Sequence, residues 1–343
     1  MTNIIASNVL ANGLRTEMAD TYNGLRARMA DGRLGLVVEG LTATNRQHEF
    51  AYFEAAPHMD HWQRGNTVPA DEMGSVTWKA YVYEWARRIK WSKFDRKDDQ
   101  TQSLFDAARM VGQSAALLPE RFMFDVINGT ALTLPVIPKA PDGRDLYDTV
   151  GADGSTARFG VTSGNLLTGN GVATISAILK DYYAAVQQFL RFQDGKGQPL
   201  LIPEQVAAGT IIIHSAEDLQ AFEQAFAMQR QGVGIKNDGT MGVVTTSNVV
   251  GAVQVSNVVQ DASRNVQLWS SPRLATGDWY IFLRTPPKKP FFTLDREGLQ
   301  EFQALEGDNN SDHTRNTGEE YVQWELRQGI GVALPYGTIK INN

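Results

Sequence analysis

The residues to weigh first for chemistry are the histidines, and two of them stand close together in His58-Met59-Asp60-His61. Histidines at i and i+3 share one face of a helix. With Asp60 they could ligate zinc in a metal-dependent hydrolase. A metalloprotease helix needs its histidines at i and i+4 with a glutamate between them, and Pro57 turns the chain at this point. His48, His214 and His313 are isolated. Gly169-Asn-Gly171-Val-Ala-Thr174 is half of a dinucleotide fingerprint, but it follows a loop and lacks the third glycine. Gly160-Val-Thr-Ser163-Gly164 sets its serine one place off the nucleophile-elbow spacing. No Gly-x-x-x-x-Gly-Lys-Ser/Thr phosphate loop occurs, and the chain contains no cysteine. Thiolate zinc sites, iron–sulfur clusters, disulfides and a cysteine nucleophile are therefore excluded. The sequence assigns no catalytic, cofactor-binding or metal residue, expects no cofactor, and reads as a protein that is not an enzyme.

A second kind of chemistry is carried by a basic aromatic strip. Between Trp78 and Lys97 stand Trp78, Lys79, Trp85, Arg87, Arg88, Lys90, Trp91, Lys93, Arg96 and Lys97. From Lys79 onward, seven basic residues face only Glu84 and Asp95, a local charge of +5. Aromatic faces can stack bases while Lys and Arg neutralise phosphates, so a single-strand nucleic-acid binder is one reading. The rest of the chain sums to −11, because the whole carries −6. An acidic body fits better with a strip that meets an acidic partner. Segment 295–325 is such a partner: nine acidic residues, among them Glu301, Glu306, Asp308, Asp312, Glu319 and Glu320, stand against Arg296 and Arg315. The expectation is that the strip of one subunit lies near this segment of a neighbour.

The elements that position these residues are read from periodicity. Leu14, Met18, Leu25 and Met29 form a helical stripe, with Asn12 as a possible cap and Gly32 as a stop. The stripe packs either on its own domain or, as an arm, on a neighbour. Residues 46–97, crowded with aromatics and split by the polar stretch 64–74, read as a long two-stranded projection whose second strand includes 76–91. Trp85→Ala and Trp91→Ala, on that projection or at its base, are expected to impair assembly more than folding. Residues 98–129 form the clearest helix, with a kink or restart at Pro119 and Gly129 as terminator. Residues 130–170 read as a long loop or weak hairpin. A second amphipathic helix carries Ile175, Ile178, Leu179, Tyr182, Val186 and Phe189 on one face. Thr210–His214 is a buried-strand run, Ser215 and Asp218 open a helix over 216–230, and 231–242 reads as a flexible Gly-rich loop. Strands follow over 243–293, and the end, 321–341, is one or two strands broken at Gly329 and Pro335.

At 343 residues, 42% of them hydrophobic and 20% charged, the chain can bury a large core and is not a disordered polymer. No apolar run reaches the 18 or so residues of a membrane span, and the N-terminus lacks a basic region followed by an apolar core. A cytoplasmic site of synthesis and no membrane partner follow as expectations.

Several of these residues resemble one known family. Thr44, Glu49-Phe-Ala-Tyr-Phe-Glu-Ala-Ala-Pro57, Trp62 and Gly65 open the motif set. It continues through the aromatic basic strand to Asp95-Arg-Lys-Asp98-Asp99, the Pro119-Glu120 interruption and Asn128-Gly129, and ends on Arg315-Asn-Thr-Gly318 with Tyr321 and Trp324. The set resembles the Mu-like major head subunit family of tailed-phage major capsid proteins, best over 44–130 and more weakly over 172–342; the family's usual Tyr-Asp-Gly segment is not evident. The resemblance implies an α+β, Hong Kong 97-like fold. Its parts would be an N-terminal arm (1–45), an extended hairpin or E-loop with its base (46–97), a peripheral domain with the spine helix (98–199), an axial domain (200–310) and closing peripheral strands (311–343). It further implies a self-assembling icosahedral shell around phage DNA, located in the virion and assembled in the host cytoplasm. Partners would be copies of the chain as pentamers and hexamers, a separate scaffolding protein, a portal protein, possible decoration by another protein, and double-stranded DNA held non-specifically. Another virion protein or a capsid-derived compartment shell is the alternative within the structural class.

Overall fold

The computed structural model describes the chain except residues 1–6, 54–74, 93, 95–100, 152–153, 155–156, 228–229, 237–240, 244–248, 257–264 and 305–311. It divides into two compact units, and the chain enters each more than once. The first unit takes 1–48, 79–123 and 292–331; the second takes 49–78, 124–291 and 332–343. The strand nearest the C-terminus joins the second unit's sheet.

The first unit is built on a four-stranded sheet of order β1-β12-β13-β4, with β1 Val38–Thr42, β4 Tyr83–Ser92, β12 Phe291–Ala304 and β13 Glu319–Val332. β13 alternates buried and half-buried residues from Glu319 to Gln328, the period-two signature of a strand covered on one face. Two helices, α1 (Ser7–Asp31) and α3 (Thr101–Ala116), supply the cover; the short α2 is Arg33–Val37. Leu10, Leu14 and Met18 of α1 and Ala108 of α3 pack with Trp91, Val322 and Trp324 in one core cluster. The helical stripe thus packs on its own chain, and the helix starts at Ser7, ahead of the Asn12 cap expected from sequence. Gly112 makes the helix pair close-fitting: a Cβ there would stand 2.8 Å from the Met18 carbonyl oxygen.

The sequence reads 76–91 as one strand of a projection. The structure breaks it at Val82, whose N–H donates to the Arg46 carbonyl. β3 (Ser75–Tyr81) pairs with β2 (Gln47–Phe53) as a two-stranded sheet, while the basic stretch becomes β4 at the edge of the four-stranded sheet. A second correction concerns Gly329. β13 runs straight through it, because the missing side chain admits the Tyr81 carbonyl, which a Cβ would strike.

The helix expected over 98–129 with a restart at Pro119 is present over its described residues. The helix stops at Ala116 and restarts as α4, Leu118–Asn128. Pro119 has no N–H for the preceding turn, so the restart falls where the hydrogen-bond ladder must skip. α4 ends in a Schellman turn: Gly129 N–H donates to Val126 O, Thr130 N–H to Asp125 O, and Gly129 takes φ +65°.

The second unit holds a five-stranded sheet of order β10-β6-β11-β14-β5. Its strands are β5 Leu166–Thr168, β6 Thr210–Ser215, β10 Val266–Ser271, β11 Trp279–Leu283 and β14 Thr338–Asn342. β6 and β11 are buried at every residue, so their unbroken apolar runs reflect cover on both faces. α5 (Ile175–Arg191), capped by the Thr174 hydroxyl on Ala177 N–H, sets Ile178, Tyr182, Ala185 and Phe189 against Ile212, Trp279, Ile281, Ile339 and Ile341. After the short α6 (Pro203–Ala207), Ser215 caps a helical stretch that changes from a 3-10 turn (Ala216–Asp218) through α7 (Leu219–Phe222) to a π-type turn ending at Ala227. The expected loop 231–242 is instead mostly strand: β7 (Arg230–Lys236) pairs with β8 (Met241–Val243) and β9 (Val249–Ser256).

The described residues of 130–165 contribute no strand to the four- or five-stranded sheet, yet the stretch is tied down at its centre. Arg158, 1% exposed, makes five hydrogen bonds: two to the Asp142 carboxylate at 2.8 and 3.0 Å, two to the Asp145 and Leu146 carbonyls at 3.0 Å, and one to Asn165 Oδ1 at 3.1 Å. The loop therefore folds around a satisfied guanidinium as well as burying Leu134, Ala140 and Leu146.

Candidate assembly surface

The antiparallel pairing of β4 with β13 decides where most of the charged candidates lie. Its register sets Lys90 opposite Tyr321, Arg88 opposite Gln323, Arg87 opposite Trp324, and Trp91 opposite Glu320. On the outer face Lys90 Nζ reaches Glu319 Oε1 at 3.2 Å. The Arg88 guanidinium lies 4.0 Å over the Tyr321 ring and donates to Gln323 Oε1 from Nε at 2.9 Å and from Nη2 at 2.6 Å. Arg327 bridges Glu84 and Glu297, each at 3.1 Å. On the inner face the Trp91 indole N–H donates to Glu320 Oε2 at 2.8 Å, with both residues buried.

The charge complementarity expected between neighbours is thus met inside one chain at these positions. Lys90 with Glu319, and Trp91 with Glu320, are partners across one strand pair. Trp85 is half-buried; its indole donates to the Gln328 carbonyl at 2.9 Å and its ring lies 5.0 Å from that of Phe122. Trp78 stacks at 4.6 Å on Phe50 within the β2–β3 pair. Lys79, Arg87 and Asp312 are exposed. Lys93, Arg96, Lys97, Glu306 and Asp308 lie outside the described residues, as do His58, Asp60 and His61.

Glu301 occupies a different setting. It lines a cleft of about 450 Å³ between α1 and β12, with Asn12, Arg15, Asn23, Gln300 and Gln303 around it. Arg15 Nε stands 3.2 Å from Glu301 Oε2, with the arginine side chain 67% exposed and the glutamate 14%. Burial holds the Glu301 carboxyl above the usual glutamate range, and the Arg15 charge opposes that only in part.

Among the described residues no three His, Asp or Glu side chains converge as a metal site. Nor is any described helix long and apolar enough to cross a membrane. The Arg158 clamp is the structured polar site that sequence reasoning passes over. A single arginine in a Pro- and Gly-rich stretch carries no spacing signal, and its partners lie up to 16 residues away.

No family model and no curated protein sequence matches the chain. Solved structures do match. The capsid chain of an empty GTA particle superposes with a TM-score of 0.54 at 11% identity, over 90% of this chain and 89% of that one. The bacteriophage PhiM1 mature capsid gives 0.52 at 9% identity, over 89% and 85%. Microbacterium phage Oxtober96 gives 0.51 at 10%, over 91% and 90%. The chain has a mixed α+β fold of the kind found in these phage and GTA capsids.

Proposed function

We propose that this chain is the major capsid protein of a tailed phage, a shell subunit of Hong Kong 97-like architecture and of the Mu-like head subunit family. What carries the reading is the match to capsid chains over about nine-tenths of both partners. So full a coverage leaves little of either chain unaccounted for, whereas a shared motif would match one unit only. On this reading the function is containment: copies form pentamers and hexamers around double-stranded DNA, with scaffolding, portal and any decoration proteins as further virion partners. Catalysis has no part in it.

The charged candidates divide accordingly. Glu319, Glu320, Lys90 and Trp91 hold the first unit together. The exposed Lys79, Arg87 and Asp312, together with Arg88 and Glu301, which also make contacts inside the chain, are the described charged candidates for meeting a neighbour, along with Trp78 of β3 and Trp85 of β4. Lys93, Arg96, Lys97, Glu306 and Asp308 complete the inter-subunit set. Such contacts are screened within about 8 Å at physiological ionic strength, so shell formation should slow as salt rises. Assembly rates that stay flat from low to high salt would remove the charged contacts from the account.

The experiment for the function is expression of the chain, alone and with its phage's scaffolding protein, followed by negative-stain microscopy and sedimentation. Uniform rings or closed shells are the expected result. A chain that stays monomeric or dimeric in both conditions overturns the reading.

A further inference from the structure

We propose that the loop following α4, residues 131–136, is a preformed contact through which one copy of this chain seats on another; the inference rests on the shell reading above. Its exposed positions are Ala131, Leu132, Pro135 and Val136, all apolar, with Leu132 78% and Val136 63% exposed. Single exposed apolar residues are ordinary, but here every exposed position of the loop is apolar. Here the polar groups are spent inward. The Asp125 carboxylate, 4% exposed, accepts the N–H groups of Thr133 at 2.6 Å and Leu134 at 2.8 Å. Leu134, 3% exposed, anchors the loop from below, and the Schellman turn at Gly129 fixes how the chain leaves the helix. One buried carboxylate and one buried leucine thus hold two large apolar side chains outward in a fixed shape. Ordering that must otherwise be met on association is already met in the free subunit.

The shell reading supplies a second copy as the partner, and the charge distribution allows it here. Each copy carries −6, so copies repel one another at a distance. From Val126 to Pro138 the sequence contains no charged residue. Two like-charged chains can approach along this stretch without setting like charges against each other, and its apolar side chains then leave water together. The polar, charged face of β4 and β13 offers no comparable place.

The absence of native cysteine makes the test direct. Leu132→Cys in the full chain gives one thiol, whose reaction with a small maleimide is timed in dissociated subunits and in particles freed of scaffolding protein. Labelling in particles should be slower by roughly tenfold or more, the factor set by about 1.4 kcal/mol of added protection. Leu132→Asp with Val136→Asp should leave the far-UV spectrum and unfolding transition unchanged while blocking particle formation. Equal labelling rates in the two states, or particles from the double aspartate variant at wild-type concentration, overturn the contact and leave the shell reading standing. If the wild-type chain forms no particles with or without scaffolding protein, the shell reading fails and takes this contact with it.

Discussion

Replacing Trp91 by alanine separates a residue that holds one chain together from one that joins two. Trp91 is 4% exposed and shares a core with Leu10, Leu14, Met18, Val322 and Trp324. Truncating a buried tryptophan costs about 3–5 kcal/mol through lost transfer energy and the cavity left behind. Its indole also donates to Glu320, which is fully buried. Removing that donor from a buried carboxylate adds on the order of 1–3 kcal/mol. The first unit should therefore lose about 4–8 kcal/mol, comparable with the whole stability of a domain at the lower end of the ordinary range of about 5–15 kcal/mol. Trp91→Phe keeps most of the volume and gives up the hydrogen bond, so it should lose only the smaller, second amount. The assay is urea unfolding of unassembled subunits, followed by far-UV circular dichroism and by the fluorescence of the remaining tryptophans. A Trp91→Ala subunit within about 0.5 kcal/mol of wild type, yet unable to assemble, refutes the placement and restores Trp91 to a surface between copies.

Three further outcomes follow from single side chains. Arg158→Lys should destabilise the second unit by roughly 3 kcal/mol, because an ammonium cannot reproduce a bidentate grip on Asp142 together with bonds to two carbonyls and Asn165; thermal unfolding at neutral pH reads it. Glu301→Gln should stabilise the first unit at neutral pH. Burial raises the folded-state pKa of Glu301, so its contribution is fully present below the unfolded pKa and is lost as pH rises through the folded one. Unfolding midpoints of wild type and variant should therefore converge toward acid and separate above the glutamate range, and a variant less stable than wild type at neutral pH contradicts the sign. Gly129→Ala has open space for its Cβ but must take φ +65°, so it should cost about 1 kcal/mol without disturbing any neighbour, as a modest shift in the urea midpoint.

Local signals were legible wherever periodicity and punctuation agree. The face of α5 from Ile175 to Phe189, the run Thr210–His214, the break before Pro119 and the stop at Gly129 all fall where side-chain spacing or backbone chemistry demands. Misreadings arise where the deciding partner is remote. Val82 breaks a strand because Arg46 accepts its N–H, and Gly329 stays within a strand because Tyr81 needs its space. Glycine-rich β7 shows no alternation, since glycines mark neither face, and it reads as a loop. At the candidate surface, composition identifies the basic and acidic segments. That Lys90 and Glu319 meet inside one chain depends on a pairing across 229 residues, which no local rule encodes.

The interleaved path of the chain also sets an order in time. β4 and α3 are synthesised early, but their sheet partner β13 comes about 230 residues after β4 ends, on the order of 10–50 s later at ~5–20 residues per second. The second unit waits longer still, because β14, which lies between β11 and β5, follows β13 in the chain. Long-range closures of this kind are slow and leave apolar surface open while they wait. Until its partner strand emerges, each half-built sheet is a client for chaperones.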